Sequence, residues 1–598
     1  MCGICGELRL DGRDADPATI AAMLPHLERR GPDHGGSHSD GPLALGHRRL
    51  AIIDLSERAN QPMVDPDLGL VLVFNGAIYN YRELRAQLRA LGYRFFTDGD
   101  SEVILKAYHE WGEGCVERLH GMFAFAIWHA HRRTLFLARD RLGIKPLYYS
   151  LDGRRLRFAS NTQALLAGGD IDTTLDPEAL HFQFTLHGVV PAPHTLLKGI
   201  RKLPPATCAT LDLKGAWRER RYWYLEQVGQ DRDTPPEAWP ERIEAALREA
   251  VRRRLEIADV PVGVLLSGGL DSSLLVALLA QEGARDLHTY SIGFEDVGEE
   301  RGSEFEYSDR VVARYPTRHR KFSIPNPEVL ARLPEAVDAM AEPMFGQDAV
   351  AFYLLAERVS QEIKVVQSGQ GADEVFAGYF WYPRMAAERE GPPVERFARH
   401  YFDRDHAEYE AMIAPEYQVG DVTRAYIARR LEEPGAGGFL DQVLRLDVTT
   451  LVVDDPVKRV DNMTMAWGLE ARVPFLDHHL VETAMAMPAE LKLPEGGKHP
   501  LKVIARKYLP PEVIDRPKGY FPMPALKYVR GDFLAFMREV LESPACRARG
   551  LYRRDYVEKL LAEPERHHTR LQGSKLWHLA LLELWLQRHV DPLAPASA

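Results

Sequence analysis

The sequence predicts two successive folded domains, an α+β layered domain followed by an α/β doubly wound domain. The length of 598 residues is about three to four times that of a usual single domain, so more than one core is expected. Early in the chain, short apolar runs such as residues 70–75 and 122–128 alternate with turn signals, which is typical of strands with a few helices. Later, a buried strand at 260–266, a glycine loop and an apolar helix at 272–280 follow one another, which is how a doubly wound sheet begins.

A polar stretch separates these two patterns. Residues 226–237 are mostly polar and include the adjacent Pro235 and Pro236, as is typical of a linker. Beyond it, apolar residues recur at helical spacing from Ile243 to Leu255. We therefore expect a first domain, a linker and a second domain over residues 1–217, 218–239 and 240–598.

Composition and charge narrow the function class. Hydrophobic residues make up 45% and charged residues 27%, which is ordinary for packed globular domains. The 86 Asp plus Glu outnumber the 75 Lys plus Arg, and the formal charge of -11 disfavours a nucleic-acid partner. The chain has no apolar run of roughly 18 residues or more and no secretory signal at its start, so we expect a cytoplasmic protein without a membrane partner.

Cys2 is the strongest single candidate for a nucleophile. A small residue at this position permits removal of Met1, which would leave a free α-amine on the cysteine. That amine, with a pKa of about 8, can accept the thiol proton. Cys2 and Cys5 also form a C-x-x-C pair, but the chain has no second ligand pair for a structural zinc, and a redox site of this type would follow a strand. The five cysteines are too few for a disulfide framework and are expected to be free thiols: Cys2, Cys5, Cys115, Cys208 and Cys546.

Several motifs accompany Cys2 in a fixed order. They are Arg-Gly-Pro-Asp at 30–33, His-Arg-Arg-Leu-Ala-Ile-Ile-Asp at 47–54, Asn-Gly-Ala-Ile-Tyr-Asn at 75–80 and Asp-Gly-Asp-Ser-Glu at 98–102. With these motifs the segment resembles the glutaminase domain of the N-terminal-nucleophile (class II) glutamine amidotransferases, specifically that of the asparagine synthetase family. The resemblance implies a four-layer αββα sandwich that releases ammonia from glutamine.

The same resemblance implies a role for each motif residue. Cys2 becomes the nucleophile, and Arg49 binds the glutamine α-carboxylate, which suits the bidentate geometry of a guanidinium. The Asn75 amide and the Gly76 backbone N–H form the oxyanion hole, where each donor contributes on the order of 3 kcal/mol. Asp100 holds the glutamine ammonium.

Ile53 and Ala77 complete the glutamine-binding set that the resemblance implies. The family usually has glutamate where this chain has Ala77. If that glutamate helps to hold the ammonium, Asp100 has less help here. We therefore expect weaker glutamine binding.

A second motif lies in the later domain. Residues 264–273 place Ser-Gly-Gly-Leu-Asp-Ser-Ser between a buried strand and an apolar helix. Backbone N–H groups, the helix N-terminus and the hydroxyls of Ser267 and Ser272 would form a pyrophosphate site, and a plain serine-glycine turn is the alternative. The chain has no Walker sequence, so the bond cut in ATP is expected to be α–β. Asp271 and Asp373 are the two carboxylates expected to hold Mg²⁺ with the phosphates.

This loop resembles that of the ATP pyrophosphatase domains, and the match continues through motifs at 461–466, 470–477 and 516–521. Lys518 is implied as the catalytic cation that stabilises charge on the α-phosphate and the departing pyrophosphate. Glu470 and Arg472 are interpreted as a structural ion pair. The ATP-binding set that the resemblance implies is Leu266, Ser267, Gly268, Gly269, Asp271, Ser272, Ile292, Ser368, Gly369 and Gln370.

The predicted activity is that of a carbon–nitrogen ligase: glutamine and ATP are consumed, AMP is formed, and a carboxylate becomes an amide. Gln370 stands where asparagine synthetases usually have glutamate, and a glutamine cannot take up a proton, which puts aspartate in doubt as the acceptor. Residues 1–9, 75–77 and 184–193 look like the N-acetylglutaminylglutamine amidotransferase branch, so that dipeptide is the expected acceptor. Aspartate is the alternative, and a non-catalytic nucleotide-binding regulator is a remote one. A homodimer is common in the family.

Overall fold

The computed structural model of the chain describes residues 2–284, 286–298, 300–435, 437–516 and 523–593. Within these residues the N-terminal half forms two six-stranded antiparallel sheets. Their strands are β1 Cys2–Arg9, β2 His34–Asp40, β3 Leu43–Arg49, β4 Met63–Asp65, β5 Leu70–Ile78, β6 Gly121–His129, β7 Thr134–Arg139, β8 Tyr148–Leu151, β9 Arg155–Ala159, β10 Arg201–Lys202, β11 Thr207–Asp212 and β12 Trp217–Arg221. The two strand orders are β10-β8-β9-β1-β3-β2 and β12-β11-β7-β6-β5-β4.

The two sheets face each other across an apolar core. Ile4 and Leu45 of the first sheet pack with Val73 and Trp128 of the second. The alternation of side chains along each strand puts these residues on one face and leaves the opposite face for helices. The helices of this half are α1 Pro17–Met23, α2 Tyr81–Ala90, α3 Asp100–Trp111, α4 Cys115–Arg118, α5 Thr162–Ala167 and α6 Pro177–Thr185. Helices α1 and α5 pack on the first sheet, α3 packs on the second, and α2 packs on α3.

The C-terminal half is built on a parallel sheet, which within the described residues has five strands. They are β13 Val262–Leu265, β14 His288–Phe294, β15 Arg318–Ile324, β16 Val365–Gln367 and β17 Glu470–Arg472, in the order β15-β14-β13-β16-β17. The chain order reverses between β13 and β16, and ligands of doubly wound sheets bind at the carboxyl ends of the strands at this point. The predicted strand at 260–266 and helix at 272–280 are confirmed as β13 and as part of α8.

Helices cover this sheet and extend well beyond it. They are α7 Trp239–Glu256, α8 Leu270–Gln281, α9 Phe305–Arg314, α10 Asn326–Asp338, α11 Asp348–Ser360, α12 Ala372–Val375, α13 Trp381–Ala387, α14 Pro393–Tyr401, α15 His406–Met412, α16 Val422–Leu431, α17 Phe439–Leu446, α18 Lys458–Met465, α19 His478–Ala486, α20 His499–Ala505, α21 Pro511–Ile514, α22 Pro524–Lys527, α23 Gly531–Glu542, α24 Pro544–Arg549, α25 Arg554–Ala562 and α26 Lys575–His589. Between α17 and α18 the backbone forms two π-helical turns, Asp447–Leu451 and Val453–Val457. In the part of the chain that the structure describes, every helix falls short of the length and hydrophobicity that crossing a bilayer requires.

Buried ion pairs join the two halves. The Asp461 carboxylate of α18 accepts hydrogen bonds from Arg30 at 2.9 Å and from Lys145 at 2.8 Å, both of which belong to the N-terminal half. Glu470 and Arg472 form another buried pair, within β17, and neither residue lines the cavities described below. The interpretation of that pair as structural agrees with this position.

Candidate active sites

The first site surrounds Cys2 at the start of β1. Cys2 pairs with Arg49 on β3, and its backbone N–H donates to Asn75 Oδ1 at 3.0 Å, which ties the first sheet to the second. Burial raises the pKa of the Cys2 thiol, while the backbone N–H of Leu50 and the charge of Arg49 lower it and the charge of Asp100 raises it. Arg49 and Asp100 therefore both lie within electrostatic range of the sulfur.

Two hydrogen-bond donors on β5 are available beside Cys2. The Asn75 Nδ2 amide is buried and has no partner among the described residues, whereas its Oδ1 is already used. Gly76 lies opposite Phe123 of β6, whose N–H and C=O are both engaged with Asp140 on the β7 side. Because the N–H and C=O of one residue in an antiparallel strand point to the same side, Gly76 turns its own N–H away from β6.

Asp100 lies on the side of β5 toward which the backbone N–H of Gly76 points. The next residue with that orientation, Ile78, donates its backbone N–H to Asp100 Oδ2 at 3.0 Å. Burial raises the pKa of Asp100 to about 6, and an ammonium partner would favour its ionised form. Ala77 is buried and, by the alternation of side chains along β5, lies on the same face as Asn75.

The Arg49 guanidinium is held by the loop that follows β3. It donates to the backbone oxygens of Asp54 and Ser56 and to Asn60 Oδ1, the last at 2.7 Å. These contacts engage three of its five N–H donors, so within the described residues two remain for a ligand carboxylate. Ile53, half-buried, belongs to the same loop. The fold thus brings Arg49, Asn75 and Asp100 close to Cys2.

The second site is a cavity of about 420 Å³ at the carboxyl ends of β13 and β16, where the strand order reverses. Every residue of the predicted ATP-binding set lines it except Gly268, which forms the turn. Gly268 has a φ of +77°, and a Cβ there would lie 2.7 Å from the backbone nitrogen of Ser308, so the turn requires glycine. The hydroxyl of Ser267 accepts from Gly269 N–H and lies 3.1 Å from the hydroxyl of Ser272, which is in the first turn of α8.

Lys498 is the residue of this site that the sequence reasoning missed. Its Nζ lies 2.6 Å from Asp271 Oδ2 and 2.9 Å from Asp373 Oδ1, the two carboxylates predicted to bind metal. Burial opposes its charge, but the two carboxylates outweigh burial and raise the pKa of Lys498. A Cβ at Gly378 would lie 2.2 Å from Lys498 Cε, so glycine makes room for the lysine. In the sequence, Lys498 is marked locally by the two glycines before it, Gly496 and Gly497, which indicate a turn.

Arg516 also lines this cavity and is likewise a new candidate. It pairs with Glu304 at 3.0 Å, while its Nη1 is buried without a partner among the described residues. The predicted catalytic Lys518 lies outside the described residues, as does Met1. Within the described residues, the cations that line this cavity are Lys498, Lys502 and Arg516.

A second cavity, of about 250 Å³, adjoins the first. Gln370 and Asp373 line both cavities, so the two spaces share a wall. The other side chains that line the second cavity combine neutral amides, aromatic rings and paired charges, and they include His187, Gln347, Asp348, Glu374, Tyr379, Trp381, Tyr401, Asp447, Asp455, Arg459, Lys527 and Gln572. The π-helical turns before α18 supply Asp447 and Asp455, and π-helical segments are frequent at functional sites.

Comparisons with known proteins identify two successive family domains in the chain. Residues 1–223 match the family model of the glutamine amidotransferase domain, and residues 242–587 match that of asparagine synthase. Asparagine synthetase [glutamine-hydrolyzing] 1 of Bacillus subtilis is 30% identical, covering 99% of this chain and 97% of its own. A putative asparagine synthetase of Mycobacterium tuberculosis is 32% identical, covering 98% and 97%. A solved glutamine phosphoribosylpyrophosphate amidotransferase from B. subtilis is 18% identical and covers 52% of this chain and 70% of its own, with a TM-score of 0.28, too low to bear on the fold.

The class of protein defined by these features is the carbon–nitrogen ligases that take their nitrogen from glutamine. Within that class, the chain belongs to the asparagine synthetase family.

Proposed function

We propose that the chain transfers the amide nitrogen of glutamine to N-acetylglutaminylglutamine, with ATP cleaved to AMP and pyrophosphate. In this proposal the N-terminal half is an N-terminal-nucleophile sandwich of four αββα layers, predicted as residues 1–217, and residues 240–598 form the ATP-dependent domain. The linker is shorter than the predicted 218–239, because strand β12 continues to Arg221 and helix α7 begins at Trp239. Each half contains one of the two sites described above.

In the N-terminal half, removal of Met1 would leave the α-amine of Cys2 within hydrogen-bond distance of Asn75. The amine takes up the thiol proton while the sulfur attacks the glutamine amide carbon. Asn75 Nδ2 and Gly76 N–H stabilise the oxyanion, and its collapse releases ammonia and leaves a thioester that water hydrolyses. Arg49 and Asp100 hold the α-carboxylate and the α-ammonium of glutamine. Support for this assignment comes from the unpartnered, buried Nδ2 donor beside Cys2.

In the C-terminal half, the acceptor carboxylate attacks the α-phosphate of ATP, breaks the α–β bond and releases pyrophosphate. Ammonia then attacks the acyl-adenylate, giving the amide and AMP. Lys498 and Arg516 line the first cavity and can balance the charge of the leaving pyrophosphate. We assign the same role to Lys518 from its motif alone. Asp271 and Asp373, which pair with Lys498 here, are two carboxylates that would suit Mg²⁺ with substrate phosphates. Mg²⁺ held by these carboxylates would neutralise phosphate charge and would leave the Lys498 cation to the phosphates.

The choice of acceptor rests on the chemistry of the second cavity. Among the described residues that line it, each cation already has an anionic partner: Arg459 has Asp348 and Asp455, Lys527 has Glu300, and His187 has Asp403. A second carboxylate, such as the α-carboxylate of aspartate, would have to displace one of these partners. The amides of Gln347, Gln370 and Gln572 instead suit an acceptor with one carboxylate and several neutral amides.

Aspartate remains the second candidate, because the relatives that match over nearly their whole length carry the name asparagine synthetase. The two acceptors can be compared directly. The purified protein is incubated with glutamine, ATP and either N-acetylglutaminylglutamine or aspartate, and the amide product and AMP are quantified. We expect amide and AMP in equal amounts with the dipeptide. Asparagine as the main product, or ADP in place of AMP, would overturn the proposal.

The Cys2→Ala variant tests whether the chain acts as an enzyme through this site. We expect it to lose glutamine hydrolysis and to keep amide synthesis from added ammonium. Unchanged glutamine hydrolysis would contradict the role of Cys2 and favour the view of the chain as a nucleotide-binding regulator.

A further inference from the structure

His187 brings a residue of the N-terminal half into the second cavity. It follows α6 and lines that cavity, whose other lining residues belong to the C-terminal half. Its Nδ1 lies 2.7 Å from Asp403 Oδ2, and the Asp403 side chain is fully buried. His187 has a φ of +56°, in the left-handed region that favours glycine. Side chains kept in such strained backbone positions cluster at ligand-binding sites.

The surroundings of Asp403 keep this pair in place. His578 of α26 is fully buried, with its Nδ1 3.8 Å from Asp403 Oδ2. Its ring stacks on Phe345 at a centroid distance of 4.1 Å. Burial lowers the pKa of His578 well below its usual value, so it stays neutral and packs behind the pair. Among the described residues, His187 is therefore the charged partner of Asp403 at hydrogen-bond distance.

The charge state of His187 leaves one donor free for a ligand. Burial opposes the charged form, but the Asp403 carboxylate outweighs it and raises the pKa of His187 to about 9. A protonated imidazole has two N–H donors, of which Nδ1 is used by Asp403. Nε2 has no partner among the described residues, and the side chain, which is 15% exposed, lines the second cavity. The His187–Asp403 pair is thus neutral overall and still offers Nε2–H as one charge-assisted hydrogen-bond donor.

We propose that His187 donates its Nε2–H to a neutral carbonyl oxygen of the acceptor, away from the carboxylate that is activated, and so selects amide-containing acceptors. The inference rests on the proposed function and adds a specificity-determining residue to it. A neutral oxygen fits better than a carboxylate because the charge of His187 is already balanced by Asp403. The donor comes from the half that releases ammonia, so acceptor recognition spans both halves.

The test compares His187→Asn with a matched control, His194→Asn. Asparagine tolerates positive φ better than most residues, so the backbone at 187 is preserved while the cationic donor is lost. His194 belongs to the same half and also pairs with an aspartate, Asp176, at 3.3 Å, but it does not line the second cavity. For each protein, the KM of N-acetylglutaminylglutamine, of aspartate and of ATP and the rate of glutamine hydrolysis are measured.

We expect His187→Asn to raise the KM of the dipeptide by about tenfold or more, the loss typical of one charge-assisted hydrogen bond. The KM of aspartate and of ATP and the glutaminase rate should stay unchanged, which also shows that the variant folds. His187→Gln, whose amide donor has a longer reach than that of asparagine, should give an intermediate KM. The control should behave as wild type.

The outcomes separate this inference from the proposed function. If wild type amidates the dipeptide and His187→Asn keeps the same KM for it, the role of His187 is wrong and the proposed function stands. If wild type amidates aspartate and not the dipeptide, the proposed function fails. An equal rise in the KM of every substrate would mean that His187 is merely structural, which also overturns the inference.

Discussion

Replacement of Asn75 by alanine tests the oxyanion hole most directly. Asn75 Nδ2 is buried and has no partner among the described residues, so its hydrogen-bonding capacity is available to a reaction intermediate. Loss of one such donor typically costs about 3–4 kcal/mol of transition-state stabilisation, which is roughly 10²- to 10³-fold in kcat. We expect that loss in glutamine hydrolysis. Amide synthesis from added ammonium should change little, because it bypasses Cys2.

The same substitution also removes the acceptor of the Cys2 N–H, so the two effects have to be separated. A buried N–H without a partner costs about 1–3 kcal/mol. Asn75→Asp keeps an oxygen that can accept from Cys2 but offers no amide donor. We therefore expect both variants to lose glutaminase kcat, and Asn75→Asp to retain more of the free energy of unfolding.

Glutamine hydrolysis is measured as glutamate release at saturating glutamine, and stability by urea unfolding. A kcat within threefold of wild type in both variants would refute the assignment of Asn75 as an oxyanion donor. A loss confined to ammonium-dependent synthesis would refute it as well, since that result would place the function of Asn75 outside glutamine cleavage.

Three further predictions concern buried charges. Lys498→Met should lower ammonium-dependent amide synthesis by roughly 10²- to 10³-fold, because a preorganised cation is lost, and should leave glutaminase activity intact. Asp461→Asn should destabilise the fold by about 3–5 kcal/mol in urea unfolding, because two buried cations of the other half lose their anion. Protonated His187 beside Asp403 should stabilise the protein fully just below pH 6.5, where Asp403 is still ionised, and this contribution of about 3 kcal/mol should be lost as pH rises through about 9. Asp403→Asn should remove that pH dependence.

Each of these predictions has a clear contrary result. Wild-type synthesis by Lys498→Met would exclude Lys498 from the phosphate site. An unfolding midpoint unchanged in Asp461→Asn would mean that the ion pairs between the halves are not stabilising. For the third prediction, the difference in stability between wild type and Asp403→Asn is followed from pH 6 to 10, and a difference independent of pH would contradict the charged state of His187.

Much of the fold is visible in the local pattern of the sequence. The apolar runs at 70–75 and 122–128 are strands β5 and β6, and the strand, loop and helix around 264–273 are present as predicted. These elements depend on the spacing of apolar residues and on glycine at the turn, both of which act within a few residues along the chain. The motif at 264–273, whose residues line the first cavity, was found for the same reason.

Contacts between distant segments were not predictable from the sequence. Lys498 meets Asp271 across 227 residues, and no local pattern sets that approach, because the room for it is made by Gly378 on a third segment. The use of Asn75 Oδ1 by the Cys2 N–H, which leaves Nδ2 free, depends on how the two sheets face each other.

The sequence by itself determined the two patterns of secondary structure, the Cys2 and Ser-Gly-Gly-Leu-Asp-Ser-Ser motifs and the family they resemble. Only the tertiary structure decided which charges are neutralised and which donors stay free. It joined His187 of the N-terminal half to Asp403 of the C-terminal half and put His187 on the wall of a cavity. The physical reason is that the strength of a charge or a hydrogen bond depends on burial and on its partners, and both are created when remote parts of the chain pack together.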